Sequence, residues 1–499
     1  MSTTTSYTAA DLREHEYPMI VDGAQVAATD GATFTRSSPA HGIGVGRYPE
    51  AGDWDVEAAV VAARGAWPQW RQLPGADRAA ALNGVAAQIR QHAEELALIE
   101  TAEAGKPIRQ ARDEIASAAG LWEYAATLAR HSYGDAHNGL GPNTLAMVVN
   151  EPVGVVGIIT PWNFPLLIVS QKLPFALAAG NTAVVKPSEY TPGTTIRLAE
   201  LALAAGFPAG VINVVTGAAM TGSALVSHSG VDALSFTGST RVGRRLAASA
   251  GADLKHAELE LGGKNAQIVM ADADLEAAAD AAVFGGFYNV GQCCNSGSRL
   301  LVQREIAEPF EAAVVQATAR MVVGDPLQVS TDVGAIVNEA QFGVIADYVR
   351  QGQQAGARVL LGGDPVPGPY FPPTIFSDVT ESMSIAQEEI FGPVLSIVPF
   401  DHVEDAIRIA NGTSYGLSSG IWTADLDAAL TAARDLRAGT VWVNRWMDGY
   451  PELPFGGYAA SGMGRELGRA AAQAFSEVKT IQLQVGTRTG RWLDPERAR

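Results

Sequence analysis

Two cysteines stand side by side at positions 293 and 294, and they are the only two among 499 residues. They lie in FYNVGQCCNSGSRLL (287–301), with glycines at 285, 286, 291 and 297 around them. A thiol on such a turn can meet a ligand closely, because glycine has no Cβ to hold the backbone away. As a thiolate it is a nucleophile for a carbonyl carbon. The alternative is an inert pair, since free cysteine also packs as a small hydrophobe. A disulfide between neighbours is disfavoured. Adjacent Cα atoms are about 3.8 Å apart, closer than the usual disulfide range of about 4.4–6.8 Å. With no third cysteine to pair, the chain is expected in a reducing compartment.

Other stretches offer the groups such a nucleophile would need. LKHAELEL (254–261) alternates at period two, which puts His256, Glu258 and Glu260 on one strand face. Gly262-Gly263-Lys264 follows at once. A carboxylate at that break can enter a cleft and act as a general base if its pKa is raised. A half-exposed strand face is the alternative. Asn163, between Trp162 and Phe164, is a neutral donor suited to a developing oxyanion, or else a turn residue before Pro165. Lys186 and Glu189 follow the apolar run TAVVK. An acid at a strand end can accept both ribose hydroxyls of an adenosine and disfavours a 2′-phosphate, although a solvated pair would look the same. FTGSTRVG (236–243) reads as strand end, turn and helix start. Ser239 or Thr240 there can cap the helix and leave N–H groups for a phosphate, or simply cap it. No G-x-G-x-x-G fingerprint occurs.

The elements that must position these residues read as follows. After a polar start and short strands to residue 50, helical patterns cover 56–67, 76–102 and 108–131. Residues 131–143 break the pattern and 145–150 restart as strand. From 153 strands and helices alternate, with strands at 153–160, 182–186, 211–215 and 233–236. Such alternation predicts an α/β fold with a parallel, doubly wound sheet and a ligand crevice at the strand carboxyl ends. Those ends carry Thr160-Pro161-Trp162-Asn163, Lys186-Pro187-Ser188-Glu189 and Thr237-Gly238-Ser239-Thr240. A second series, with strands near 266–269, 298–303, 358–361, 394–399 and 440–443, predicts a second α/β lobe across a cleft.

The formal net charge of −18 argues against nucleic acid or an anionic membrane as partner. No apolar run approaches the roughly 20 residues of a membrane helix, and the N-terminus has neither signal nor transit character. The cytoplasm is the expected address.

Together, ITPWNFP (159–165), KPSEYTP (186–192), FTGST (236–240), LELGGKN (259–265), GQCCNSGSR (291–299), EEIFGPV (388–394) and LPFGGYAASGMGRE (453–466) resemble the aldehyde dehydrogenase superfamily over about 20–484. The resemblance implies NAD(P)-dependent oxidation of a small aldehyde to the acid, of the non-acylating type. Cys294 would be the nucleophile, Glu260 the general base and Asn163 the oxyanion donor, with Lys172 near the active site. Thr160, Pro161, Trp162, Lys186, Ser188, Glu189, Gly238, Ser239, Leu261, Glu389 and Phe391 would hold NAD, with NADP possible and no metal. Phe164, Trp122, Phe287, Tyr288 and Phe455 would line the substrate pocket. The fold implied is a Rossmann-like cofactor domain (1–130 and 151–261) and an α/β catalytic domain (262–465). A β flap and C-terminal tail (131–150 and 466–499) would serve a homo-oligomer, dimer or tetramer. A CoA-acylating semialdehyde dehydrogenase and a thiol hydrolase without redox chemistry are the alternatives. The chain departs from the family pattern in two places. The loop after Thr216-Gly217 is one residue short, with Ala219 where glycine is common, and Ala459 stands where lysine often follows GGY.

Overall fold

In the computed structural model, which describes residues 6–131 and 133–486, the site is built between two sheets. The first five residues and the expected tail beyond 486 lie outside the described residues. The first sheet has eight strands. In its centre His256–Glu260, Ala233–Thr237, Val155–Ile159, Thr182–Lys186 and Ile212–Val214 run parallel in that spatial order. Gly462–Met463 closes one edge antiparallel, and Met19–Val21 and Ala24–Val26 close the other. The central strands are apolar and covered by helices on both faces, as a parallel sheet requires. The carboxyl ends of these strands carry the polar loops picked out in the sequence.

The second sheet has seven strands in the order Arg358–Leu361, Thr374–Ser377, Val394–Phe400, Arg299–Gln303, Ala266–Val269, Ser418–Trp422 and Thr440–Val443. All neighbours are parallel except the first pair. Ser418–Trp422 was not legible as strand because it begins Ser-Ser-Gly. Ser419 is nevertheless accommodated inside the sheet, where its Oγ donates to the Ala266 carbonyl at 2.9 Å. Gly420 is closely packed there, since a Cβ would come within 3.1 Å of the Trp446 ring. Thr374–Ser377 is likewise an addition to the expected strands. A third, antiparallel sheet joins Asp135–His137, Thr144–Pro152 and Ser476–Gln484, the last two paired along nine residues.

The helices differ from expectation in two places. The run expected over 76–102 is two helices, Gly75–Gln91 and Ala93–Ala104, broken at His92, whose φ of −105° and ψ of 21° are not helical. The first helix, Asp53–Gln72, continues through Pro68 instead of stopping at Trp67. The hydrogen bond lost at the proline is offset by Trp70 beyond it, buried with its Nε1 donating to the Leu177 carbonyl at 3.1 Å. Gly468–Ala474 packs on Pro165–Ala179 and adds Leu467, Ala471 and Phe475 to the core of the first sheet. Among the described residues no helix is long and apolar enough to cross a membrane.

One helix, Pro165–Ala179, follows directly on Asn163 and carries Lys172. Its N-terminus is held by two buried carboxylates. Glu100 accepts from the Leu166 N–H at 2.9 Å and Glu114 from the Leu167 N–H at 3.1 Å, where negative charge complements the helix dipole. Lys106 lies between them, bonded to Glu114 and 3.4 Å from Glu100, with its ammonium 4.5 Å from the centre of the Phe164 ring. All three side chains are essentially inaccessible. Removing one member of a buried ion group leaves charge without a partner at a cost of about 3–5 kcal/mol. Lys106→Met should therefore lower stability by about that amount, measured as a fall in the urea midpoint; a change within error would show the triad to be energetically idle.

Candidate active site

The cysteine pair follows the helix Leu275–Phe287 through a tight turn at Asn289, Val290 and Gly291. The two thiols face different surroundings. Cys293 is buried against Phe164 and Ile168, with Tyr288 and Met447 beside them. Cys294 is partly exposed, and its carbonyl accepts from Asn265 Nδ2 at 2.7 Å. Its thiol is pushed well above the ordinary range by the neighbouring Cys293 thiol, then by burial, then by the charges of Glu389 and Glu260. Lys172, which the resemblance sets near the active site, is committed to a buried ion pair with Glu466, and the charges raising the thiol are carboxylates.

The strand His256–Glu260 runs from solvent into the cleft. His256 is exposed and bonded to Glu477 at 2.7 Å. Glu258 is partly buried, and Glu260 is only 3% exposed. Neither Glu260 carboxylate oxygen has a hydrogen-bond partner. Burial, then the Glu466 charge, raises its pKa well above the carboxylate range, partly opposed by Lys172. Glu258 is pushed up to about 7 by the same two causes. Gly456 gives Glu260 its room, since a Cβ there would lie 2.5 Å from Oε1.

Asn163 reaches the cysteine loop, its Nδ2 donating to the Gln292 carbonyl at 3.1 Å. Asn289 and Gln292 were missed in the sequence although both lie in the quoted cysteine stretch, because their roles are contacts across the chain. Glu466 was missed too; it closes the quoted GMGRE run, but its partner Lys172 is 294 positions away.

The residues expected to hold a dinucleotide gather at the ends of the first sheet. Lys186 is buried and 3.8 Å from Glu189, with burial lowering its pKa. Ser188 Oγ accepts from the Tyr190 N–H at 3.2 Å. Ser239 caps Thr240–Ala252 by accepting from the Val242 N–H, and no acidic residue occupies that helix's first turn. The Gly238 N–H donates to the Glu260 carbonyl at 3.0 Å, which ties this turn to the strand of the expected base. Leu261 packs against Gly243, and its N–H donates to the Ser461 carbonyl. Pro161 is partly exposed beside Thr160, whose buried hydroxyl has no protein partner. Trp162 meets Phe391 edge-on with ring centres 5.3 Å apart. Glu389 accepts from the Gly263 N–H at 3.0 Å, and burial pushes its carboxyl up to about 7. An acid-free helix start, an unpartnered hydroxyl and a Lys/Glu pair at a strand end suit phosphate and ribose, so this donor set fits a dinucleotide.

Of the pocket residues, Phe164 and Tyr288 stack with ring centres 6.1 Å apart next to Cys293. Phe455 pairs its backbone with Glu466. Two expectations are corrected. Trp122 lies in the core of the first sheet, fully buried with its Nε1 donating to Ser170 Oγ at 3.1 Å. Phe287 is fully buried in the core of the second sheet, where its helix ends. Phe284, one turn earlier, is the exposed ring against Tyr288 at 5.1 Å. Its spacing of four from Tyr288 was the available signal.

The model of the aldehyde dehydrogenase family matches residues 26–481. The NADP/NAD-dependent aldehyde dehydrogenase PuuC of Escherichia coli is 42% identical over 94% of this chain and 96% of its own length. The crystal structure of an NAD-dependent aldehyde dehydrogenase from Sinorhizobium meliloti superposes with a TM-score of 0.95, at 48% identity, covering 96% of this chain and 97% of that one. The NAD+ complex of an aldehyde dehydrogenase from Bacillus cereus gives 0.93 at 39% identity, covering 94% and 97%. With the family's model matched over residues 26–481 and relatives of about 40% identity aligned along nearly its whole length, the chain belongs to the aldehyde dehydrogenase family.

Proposed function

We propose that the protein oxidises an aldehyde to the carboxylic acid through a thioester on Cys294, with NAD as its preferred coenzyme. The observation that carries this reading is the Asn163 amide bonded into the cysteine loop at the Gln292 carbonyl, with the buried, unpartnered Glu260 carboxylate at the break of its strand. Cys294 attacks the carbonyl carbon, and the resulting oxyanion meets the Asn163 amide and the Cys294 N–H. The nicotinamide, when bound, supplies the hydride acceptor and a positive charge that favours the thiolate. Loss of hydride leaves a thioester on Cys294. Glu260, buried without a partner, then takes a proton from the attacking water. Its raised pKa suits it to hold that proton near neutral pH. Nothing favours CoA as the acceptor, for a thiol needs no water-activating base.

Lys186 and Glu189 are proposed to hold the adenosine ribose, and the Glu189 carboxylate repels a 2′-phosphate, which sets NAD above NADP. The relative from Escherichia coli is named for both coenzymes, and NADP remains a usable second. The division into cofactor part, catalytic part and flap belongs to the same proposal. So do a cytoplasmic site of action and a homo-oligomer built through the strand Ser476–Gln484, where Val478 and Leu483 are exposed.

Cys294→Ala should abolish turnover. Cys293→Ala should retain most of it, and should also shift the pH profile of Cys294 alkylation downward, because the neighbouring thiol is the first cause holding Cys294 up. Equal loss in both folded variants would reject the assignment. Glu260→Gln keeps size but removes the base, a contribution typically worth about 10²–10⁴-fold. It should give one burst of reduced coenzyme per active subunit and then stall, with an acyl adduct on Cys294 visible by intact mass. A folded, coenzyme-bound variant with no burst would place Glu260 before hydride transfer. Glu389 supplies the third test. Its carboxyl, at about 7, is charged above that pH and neutral below it. KM for NAD should therefore rise as pH falls through 7 in the wild type and stay high and flat in Glu389→Gln; a flat wild-type profile would remove Glu389 from coenzyme binding.

A further inference from the structure

We infer that Asn289 is a positioning residue for the oxyanion site, locking together the two loops that supply its donors; the inference rests on the roles proposed for Asn163 and Cys294. The turn before the cysteines is left-handed three times over, with φ of 50° at Asn289, 60° at Val290 and 67° at Gly291. A β-branched residue in that region is a steric outlier. Such backbone persists only where its surroundings over-determine it.

Asn289 supplies most of that determination. Its side-chain amide, 1% exposed, donates one hydrogen to the Asn163 carbonyl at 2.9 Å and the other to the Gln292 carbonyl at 3.1 Å. Asn163 Nδ2 donates to the same Gln292 carbonyl, so the three residues form a closed set of hydrogen bonds. The orientation of the Asn289 amide is dictated by its neighbours: both are acceptors, and only the NH2 end satisfies them. Behind the turn, the Asn289 N–H donates to Gln110 Oε1 at 2.8 Å, and Gln110 Nε2 donates to the Asp332 carbonyl at 3.0 Å. Gln292 completes the fixing, its N–H donating to the Asn289 carbonyl and its Oε1 accepting from the Val337 N–H. One amide thus spends both hydrogens joining the loop of Asn163 to the loop of Cys294. Asparagine also tolerates the left-handed conformation better than most residues. Aspartate would match its shape and that tolerance but could not donate.

The test separates oxyanion positioning from mere support of the cysteine loop. Full-length Asn289→Ala and Asn289→Asp are compared with wild type in two assays. The first is the pre-steady-state burst of reduced coenzyme with NAD and benzaldehyde or hexanal, whichever the wild type turns over faster. The second is alkylation of Cys294 by iodoacetamide, followed by peptide mass, which needs the thiolate but forms no oxyanion. The burst should slow about 10- to 100-fold in both variants, the range a small misplacement of reacting groups costs, while alkylation stays at the wild-type rate. A wild-type burst in either variant overturns the proposal, as does equal slowing of burst and alkylation. If Asn289→Ala does not fold, Gln110→Ala must show the same split. Retained turnover in Cys294→Ala would instead fault the parent reading, which keeps the two failures distinguishable.

Discussion

Charge taken out of water must find a partner, and this chain assembles its site around two places where a lysine does that duty. Lys106 meets Glu100 and Glu114 at one end of Pro165–Ala179, and Lys172 meets Glu466 on its body. A buried ion of this kind tolerates no loosening, since its Coulomb gain offsets desolvation only at close range. The helix is therefore pinned from two directions by segments far apart in sequence. Asn163 lies just before its N-cap, Phe164, and Glu260 feels the charges of its second pair. Placement of both follows from where the charges had to go.

The same desolvation makes the site reactive. Glu260 and Glu389 are buried, and desolvation raises the pKa of each. Cys294, beside them, is held as a thiol. A nucleophile kept protonated by a neighbouring thiol and by burial, with carboxylate charge adding to both, is less open to alkylation and oxidation than a thiolate. The nicotinamide ring, when bound, brings the positive charge that favours the thiolate. Lys264, fully buried with no hydrogen-bond partner for its amine and its pKa lowered to about 7 by burial, is not placed to do that work, for its coupling runs to Glu389 and Arg299.

The strand ends and the cysteine loop were legible because parallel strands must be apolar and their polar exits must line the crevice. The LELGGK and GQCC runs were specific enough to name the family. What stayed hidden depends on distance along the chain. Lys172 read only as a residue near the active site, and the fold alone reveals that Glu466 claims it. Trp122 and Phe287 read as pocket aromatics, yet an aromatic on a helix faces core or cleft according to its neighbours in space, and these two face core. Ser418–Trp422 escaped because it opens Ser-Ser-Gly, and the bond of the Ser419 hydroxyl to the neighbouring strand is something no pattern of apolar residues records.

Charge alone would let Asp448 and Glu452 select a cationic aldehyde, but the fold weakens that option. Asp448 already pairs with Arg445, which also holds the Tyr450 hydroxyl, and both charges are exposed. An exposed pair contributes at most about 1 kcal/mol and is screened by salt, so it offers little steering to an incoming cation. The proposed pocket wall is instead Phe164, Tyr288, Phe284, Ile168 and Met447 beside Cys293. An apolar wall discriminates by only about 1–3 kcal/mol per methylene. Selectivity from such a wall is graded by size and shape, and we propose on that ground that apolar and aromatic aldehydes are taken as a class rather than any single one.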